Sequence, residues 1–173
     1  MAVNTNITAY QPLGANFYQA DTTQRFRLGE KALGANNSEW EYVQNASSSV
    51  AINAYELVGY NSDYKAQAVV SSATSDAAKY RNAAFAQVSI PASGYGWVCR
   101  RASGGIQGKG VASCAANAQL YVGASGVSAG VLQGASATNT VKVEGVVFVT
   151  AIGSTGTNSA EIIANYPRFG AVS

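Results

Sequence analysis

Three places in this 173-residue chain bring chemically capable residues close together. Gly104-Gly105-Ile106-Gln107-Gly108-Lys109-Gly110 has the glycine density of a phosphate-cradling loop. Such a loop needs a Gly, four residues, then Gly-Lys and a Ser or Thr that opens a helix. Counting back from Gly108-Lys109, Ser103 stands where the first Gly belongs, and Gly110 replaces the hydroxyl residue. The residues beyond Gly110 read as strand, so these glycines are expected to serve a bulge or close strand packing. Glu39 and Glu41 share one face of an alternating segment, a spacing open to a glycosidase pair. Catalytic carboxylates usually come from different strands, so a charged, exposed strand face is the expectation here. Arg100-Arg101 follows Tyr95 and Trp97, an aromatic-basic grouping of the kind that holds single-stranded nucleic acid. Consecutive strand residues point to opposite faces, so the two guanidinium groups are not expected to cluster. An ion pair or hydrogen bond across a subunit contact suits Arg100 and Arg101 better.

The rest of the composition narrows the chemistry. The chain has no His, which removes the commonest general base and most catalytic zinc sites. Cys99 and Cys114 are the only Cys, too few to complete a metal shell, so no metal and no cofactor are expected. They could pair if their strands are neighbours; with no sign of secretion, buried free thiols are expected. The net charge of +2 implies neither nucleic acid nor an anionic membrane as partner. Charged residues make up 12% of the chain, about half the usual share. The exterior must then be Ser, Thr, Asn, Gln, Gly and Ala, which cost little to dehydrate against another protein. Asn36-Asn37-Ser38 and Asn45-Ala46-Ser47 match glycosylation acceptors but read as turns without a secretion signal. The first residues, MAVNTNITAYQPL, lack the basic and apolar regions of a signal peptide. No apolar run reaches the roughly 20 residues of a membrane helix. A soluble product made in the cytoplasm is expected.

The elements that must position these residues read as strands throughout. Residues 1–24 are polar and dotted with Tyr10, Phe17 and Tyr18. They are expected to form an extended arm whose aromatics lie on a neighbouring protein, with a frayed terminus carrying stray aromatics as the equal alternative, ahead of a single domain over 25–173. Ala35-Asn36-Asn37 is a turn signal. It leads into Glu39–Gln44, which alternates cleanly and closes a hairpin. Val50–Val58 and Lys65–Val70 read as extended, and Ser71–Asn82 as a loop with one helical turn. Ala83–Ile90 comes next as a strand stopped by Pro91. Tyr95–Arg100 is predicted to be a strand, Ser103-Gly104-Gly105 a turn, Ile106–Val111 the return strand and Ala118–Val122 a third. Val127–Gln133 is weakly strand-like. Val141–Ala151 is the strongest strand, with a bulge or close approach at Gly145. Ala160–Tyr166 is expected to end at Pro167. Eight to ten short strands without a convincing helix make an all-β antiparallel sandwich or small barrel.

Taken together, Phe26–Gly29, Ser38–Gln44 (SEWEYVQ), Tyr95–Arg101 (YGWVCRR), Ala112–Tyr121 (ASCAANAQLY) and Tyr166-Pro167-Arg168 resemble capsid decoration (cement) proteins of tailed bacteriophages. The resemblance spans Phe26 to Arg168 and consists of weak motifs in order. It implies a β-rich, often jelly-roll-like domain on the outside of an assembled head. There such proteins clamp adjacent capsomers of the major capsid protein, commonly as homotrimers and in some cases as dimers. Tyr10, Phe17, Tyr18, Arg100 and Arg101 are the expected partner-binding residues, with no catalytic residue among them. Two rival readings stay open. One is a receptor- or glycan-binding module that uses Trp40 and Trp97 as sugar platforms. The other is a hydrolase built on Glu39 and Glu41.

Overall fold

A computed structural model of the chain describes residues 12, 14–69, 80–112, 114–122, 128–134, 141–153 and 156–172. Among these residues every regular element is a strand: β1 Lys31–Leu33, β2 Glu39–Asn45, β3 Leu57–Tyr60, β4 Lys65–Ala68, β5 Asn82–Ala86, β6 Tyr95–Val111, β7 Leu120–Val122, β8 Leu132–Gln133, β9 Val141–Phe148 and β10 Thr157–Val172. The all-β expectation holds. The helical turn expected over 71–82 falls mostly outside the described residues.

The strands form one ten-stranded sheet in the order β1-β2-β4-β3-β5-β6-β10-β9-β7-β8. Two further pairings, β2–β6 and β6–β8, fold the sheet back on itself. Val98 and Cys99 of β6 pair with β2 on one edge and with β5 on the other. Further along, β6 lies against β10 over Ile106–Val111 and against β8 at Gly110. Pairing therefore runs in two closed circuits, β2-β4-β3-β5-β6 and β6-β10-β9-β7-β8, that share β6. The sheet is mixed rather than wholly antiparallel, because β2–β4 and β6–β8 are parallel. Circuits of this kind leave few unpaired sheet edges, the usual site of unwanted strand addition.

Local sequence explains most of these elements. Asn36 and Asn37 both take positive φ (54° and 56°), and Ser38 N donates to Ala35 O at 3.0 Å. That is the primed turn that matches strand twist, and it closes the β1–β2 hairpin. Gly145 has φ 76°, and a Cβ there would sit 2.6 Å from Asn165 O. The β9–β10 register shifts at this point, so Gly145 is the expected close approach.

Two expected stops do not occur. Ser103-Gly104-Gly105 was expected to reverse the chain, yet β6 continues through it for 17 residues. Ala102 pairs with Ala164 and Ile106 with Ile162, so three residues of β6 face Ile163 alone. Gly104 (φ 133°) and Gly105 (φ 75°) absorb the extra length as a bulge. The freed donors are met off the ladder: Ser103 N donates to Asn36 O (3.1 Å) and Gly105 N to Glu161 Oε1 (2.7 Å). Likewise β10 runs past Pro167, because Tyr166 (φ 47°) opens a second bulge that takes the proline out of the ladder.

Both faces of β2, β3, β5 and the first part of β6, Gly96 to Cys99, are buried. Val43, Val58, Tyr60, Ala84, Ala86 and Val98 belong to one core, with Ala66, Ile52 and Ile90. Trp40, Tyr42, Leu57, Phe85, Trp97 and Cys99 belong to the other, continuous with Ile106, Leu120, Leu132, Val143, Phe148 and Ile162. The second core also takes in residues before Arg25. Phe17 is 4% exposed and stacks on Trp40 at 4.6 Å and 2°. Asp21 bridges Tyr95 through paired 2.8 Å backbone hydrogen bonds. The segment from Gly14 onward is thus packed on the domain.

Candidate interaction surface

The charged residues singled out in the sequence converge on one end of β2 and β6. Glu39 pairs with Arg101 in the strand register, while Trp40 pairs with Cys99, so Arg100 is an extra residue on β6. A bulge of this type re-aims side chains. Contrary to the expected alternation, the Arg100 and Arg101 guanidinium groups both lie against the Tyr166 ring, 5.5 and 5.6 Å from its centroid. Arg101 Nη1 pairs with Glu39 Oε1 at 3.1 Å, and its Nε donates to Asn37 O at 3.2 Å. Arg100 Nη1 pairs with Glu41 Oε2 at 3.4 Å, and Nη2 donates to Asn82 Oδ1 at 3.2 Å.

Glu41 corrects another expectation. It is not an exposed strand charge but 2% exposed, because the small-residue core closes over that face. The Tyr60 hydroxyl donates to the same Oε2 that Arg100 engages. Burial, then the adjacent Glu41 charge, drives the Tyr60 phenol well above its ordinary range, so it stays a protonated donor. Glu39, by contrast, sits at the rim, where its hydrogen bond raises the Tyr166 phenol. One carboxylate is sealed and ion-paired, and the other is held by an Arg. They do not line a common cleft, and each is tied to one of the two Arg that lie against Tyr166.

The remaining sequence candidates separate. Phe17, expected on a partner, lies in this chain's own core. Tyr18, its neighbour, is 57% exposed. It leans edge-on toward Trp40 at 5.9 Å, on a hollow of about 120 Å³ also lined by Asn36, Ser38, Gly104 and Gly105. Tyr10 lies outside the described residues. Trp40 and Trp97, the expected sugar platforms of the glycan reading, are 3% and 1% exposed and fill the aromatic core. The feature that motivated that reading is therefore gone. Cys99 and Cys114 are buried free thiols. Burial pushes the Cys99 thiol from 9.0 up to about 12 and raises Cys114 as well. Lys109 of the glycine-rich stretch pairs with buried Glu56 at 3.5 Å, within a strand. Among the described residues, no group of three or more His, Cys, Asp or Glu is placed to hold a metal.

Sequence reasoning passed over Tyr166, Ile163 and Glu161 as individual surface residues. Tyr166 stands in the closing Tyr-Pro-Arg motif, but its outward turn depends on a positive φ that a Tyr-Pro pair does not announce. Neither the protein-family models nor the curated protein sequences contain a match to this chain.

Proposed function

We propose that this chain is a structural virion protein that binds the outside of a tailed-phage head and stabilises contacts between capsid subunits. Its partners are then the major capsid protein and further copies of itself. The observation that carries the reading is how the surface is made. Arg100, Arg101, Lys109, Lys142 and Arg168 are each paired with a carboxylate of the same chain. The exposed large apolar side chains left to meet a partner are Tyr18, Val50, Val149, Ile163 and Tyr166. Such a surface is inexpensive to dehydrate, and Tyr and Arg are among the side chains that dominate binding energy at protein contacts. The order of weak motifs that resembles decoration proteins is in keeping with this reading. Tyr18 supplies an exposed attachment point, eight positions after Tyr10 in the sequence. A symmetric oligomer would multiply a modest single-site affinity.

Sedimentation with purified, DNA-filled heads tests this. The chain should pellet with the particles, and Tyr18→Ala should lower occupancy without changing the melting temperature. Absence from the particle would sink the reading.

A further inference from the structure

Asn53, Glu56 and Lys109 bring an amide, a carboxylate and an amine to one point. Glu56 is 4% exposed. Its Oε1 accepts from Asn53 Nδ2 at 2.7 Å and from Lys109 Nζ at 3.5 Å, while its Oε2 accepts from Asn53 N at 2.7 Å. An ion pair needs only the amine and the carboxylate. Here the carboxamide nitrogen is held on the same oxygen as the amine. The backbone fixes both sides of this meeting. Tyr55 takes a positive φ of 70° in the turn that joins Asn53 to Glu56. Its N donates to Ala86 O at 2.7 Å, and its O accepts from Lys109 N at 2.8 Å. Gly130 (φ 72°) packs on the Glu56 stem so closely that a Cβ there would sit 2.5 Å from Glu56 Cβ. The carboxylate is thus held in place. The Lys109 side chain is 27% exposed and unbranched, free to close the remaining gap, and Asn53 lies at the exposed rim.

We propose that these three side chains form an intramolecular isopeptide bond between Lys109 Nζ and Asn53 Cγ, with Glu56 as the proton carrier. Glu56 takes a proton from the Lys109 ammonium, which lies within its hydrogen-bond reach. The freed Nζ lone pair attacks Asn53 Cγ, and the Cγ–Nζ bond forms. The Cγ–Nδ2 bond then breaks. Glu56 returns its proton to Nδ2, which it already holds, and the second Nζ proton follows. An ammonium and a carboxamide become a secondary amide and an ammonium ion. Nothing is oxidised or reduced, and no further reactant is consumed. Fixing both partners in one fold replaces a bimolecular encounter, an advantage of about 7–11 kcal/mol in well-oriented cases. The leaving ammonia escapes at the exposed Asn53 side. The bond would fasten the turn before β3 to β6 and survive unfolding of the strands around it. It does not depend on the virion reading.

Intact mass spectrometry of the purified full chain tests it. The parent should be lighter than its residues require by one ammonia, and digestion should yield a branched peptide that joins positions 53 and 109. Lys109→Arg and Asn53→Ala, both at side chains open to solvent, should each restore the full mass and melt below the parent. Glu56→Gln should keep the amine and the amide but leave them unjoined. An ammonia loss that persists in Lys109→Arg marks an imide at an Asn and overturns the bond. A folded parent that keeps its full mass after prolonged incubation overturns it as well. Either of these results leaves head binding standing.

Discussion

The core on one face of β2, β3, β5 and β6 is built from Val and Ala and ends in ions; the core on the other face is built from aromatic rings. On the first face, Val43, Val58, Ala66, Ala84, Ala86 and Val98 pack closely, and Glu41, Tyr60 and Arg100 close the end. On the second, Trp97 touches Phe17, Phe26 and Tyr42, at ring distances of 5.2–5.6 Å. The difference teaches how, among the described residues, a sheet of mostly short strands is covered without a helix. Where strands circle back on themselves, small residues suffice and a single carboxylate must be compensated. Where the sheet would otherwise face water, aromatics and the segment around Phe17 supply the covering mass.

The largest effect should come from the aromatic side. Trp97→Ala removes the ring that joins three others and should cost about 3–5 kcal/mol, read by chemical denaturation. Phe17→Ala should cost about 3 kcal/mol while Tyr18→Ala leaves stability within about 0.5 kcal/mol; equal effects would mean that the segment is not part of the core. On the ionic side, Arg100→Met leaves the buried Glu41 carboxylate with the Tyr60 hydroxyl and without its guanidinium. A loss of about 2–3 kcal/mol is expected, below the full value for a buried pair because Arg100 is partly exposed. Tyr60→Phe, which removes one donor to a charged acceptor, should cost about 1–3 kcal/mol.

A further effect is read by pH, and it falls on both sides, because the Tyr60 phenol of the ionic side is raised as well. Burial holds Cys99 at about 12 against an ordinary 9.0, and Tyr42 at about 12 against 10.0. Both belong to the aromatic core, and both folded values are raised. The stability they contribute is complete below pH 9, because the thiol and phenol are protonated in both states. Above it the unfolded chain ionises first, and that stability is lost as pH rises toward 12. A melting temperature that stays flat from pH 9 to 11 in the parent, or falls equally in Cys99→Ala and in the parent, would count against this assignment.

Much of this molecule is legible in its residues. Period-two alternation marks β2 and β9, Asn36-Asn37 marks a hairpin turn, and Gly145 marks a close approach, because each is a local steric fact about a few side chains. The absence of His and the near absence of Cys limit the chemistry whatever the fold. Alternation could not show whether the second face of a strand is wet or covered. Glu41 therefore read as exposed, and became a buried ion only when β3, β4 and β5 closed over it. Nor could it show that Gly104-Gly105 would bulge rather than turn, since the same positive-φ freedom serves both. That choice is made by Ile163, Glu161 and Asn36, which hold the two halves of β6 in one line from far away in the chain. The bulge at Arg100 turns two residues that alternation would separate toward one Tyr166. Composition and local sterics set the strands and the kinds of side chain available; long-range pairing alone decided which of those side chains meet.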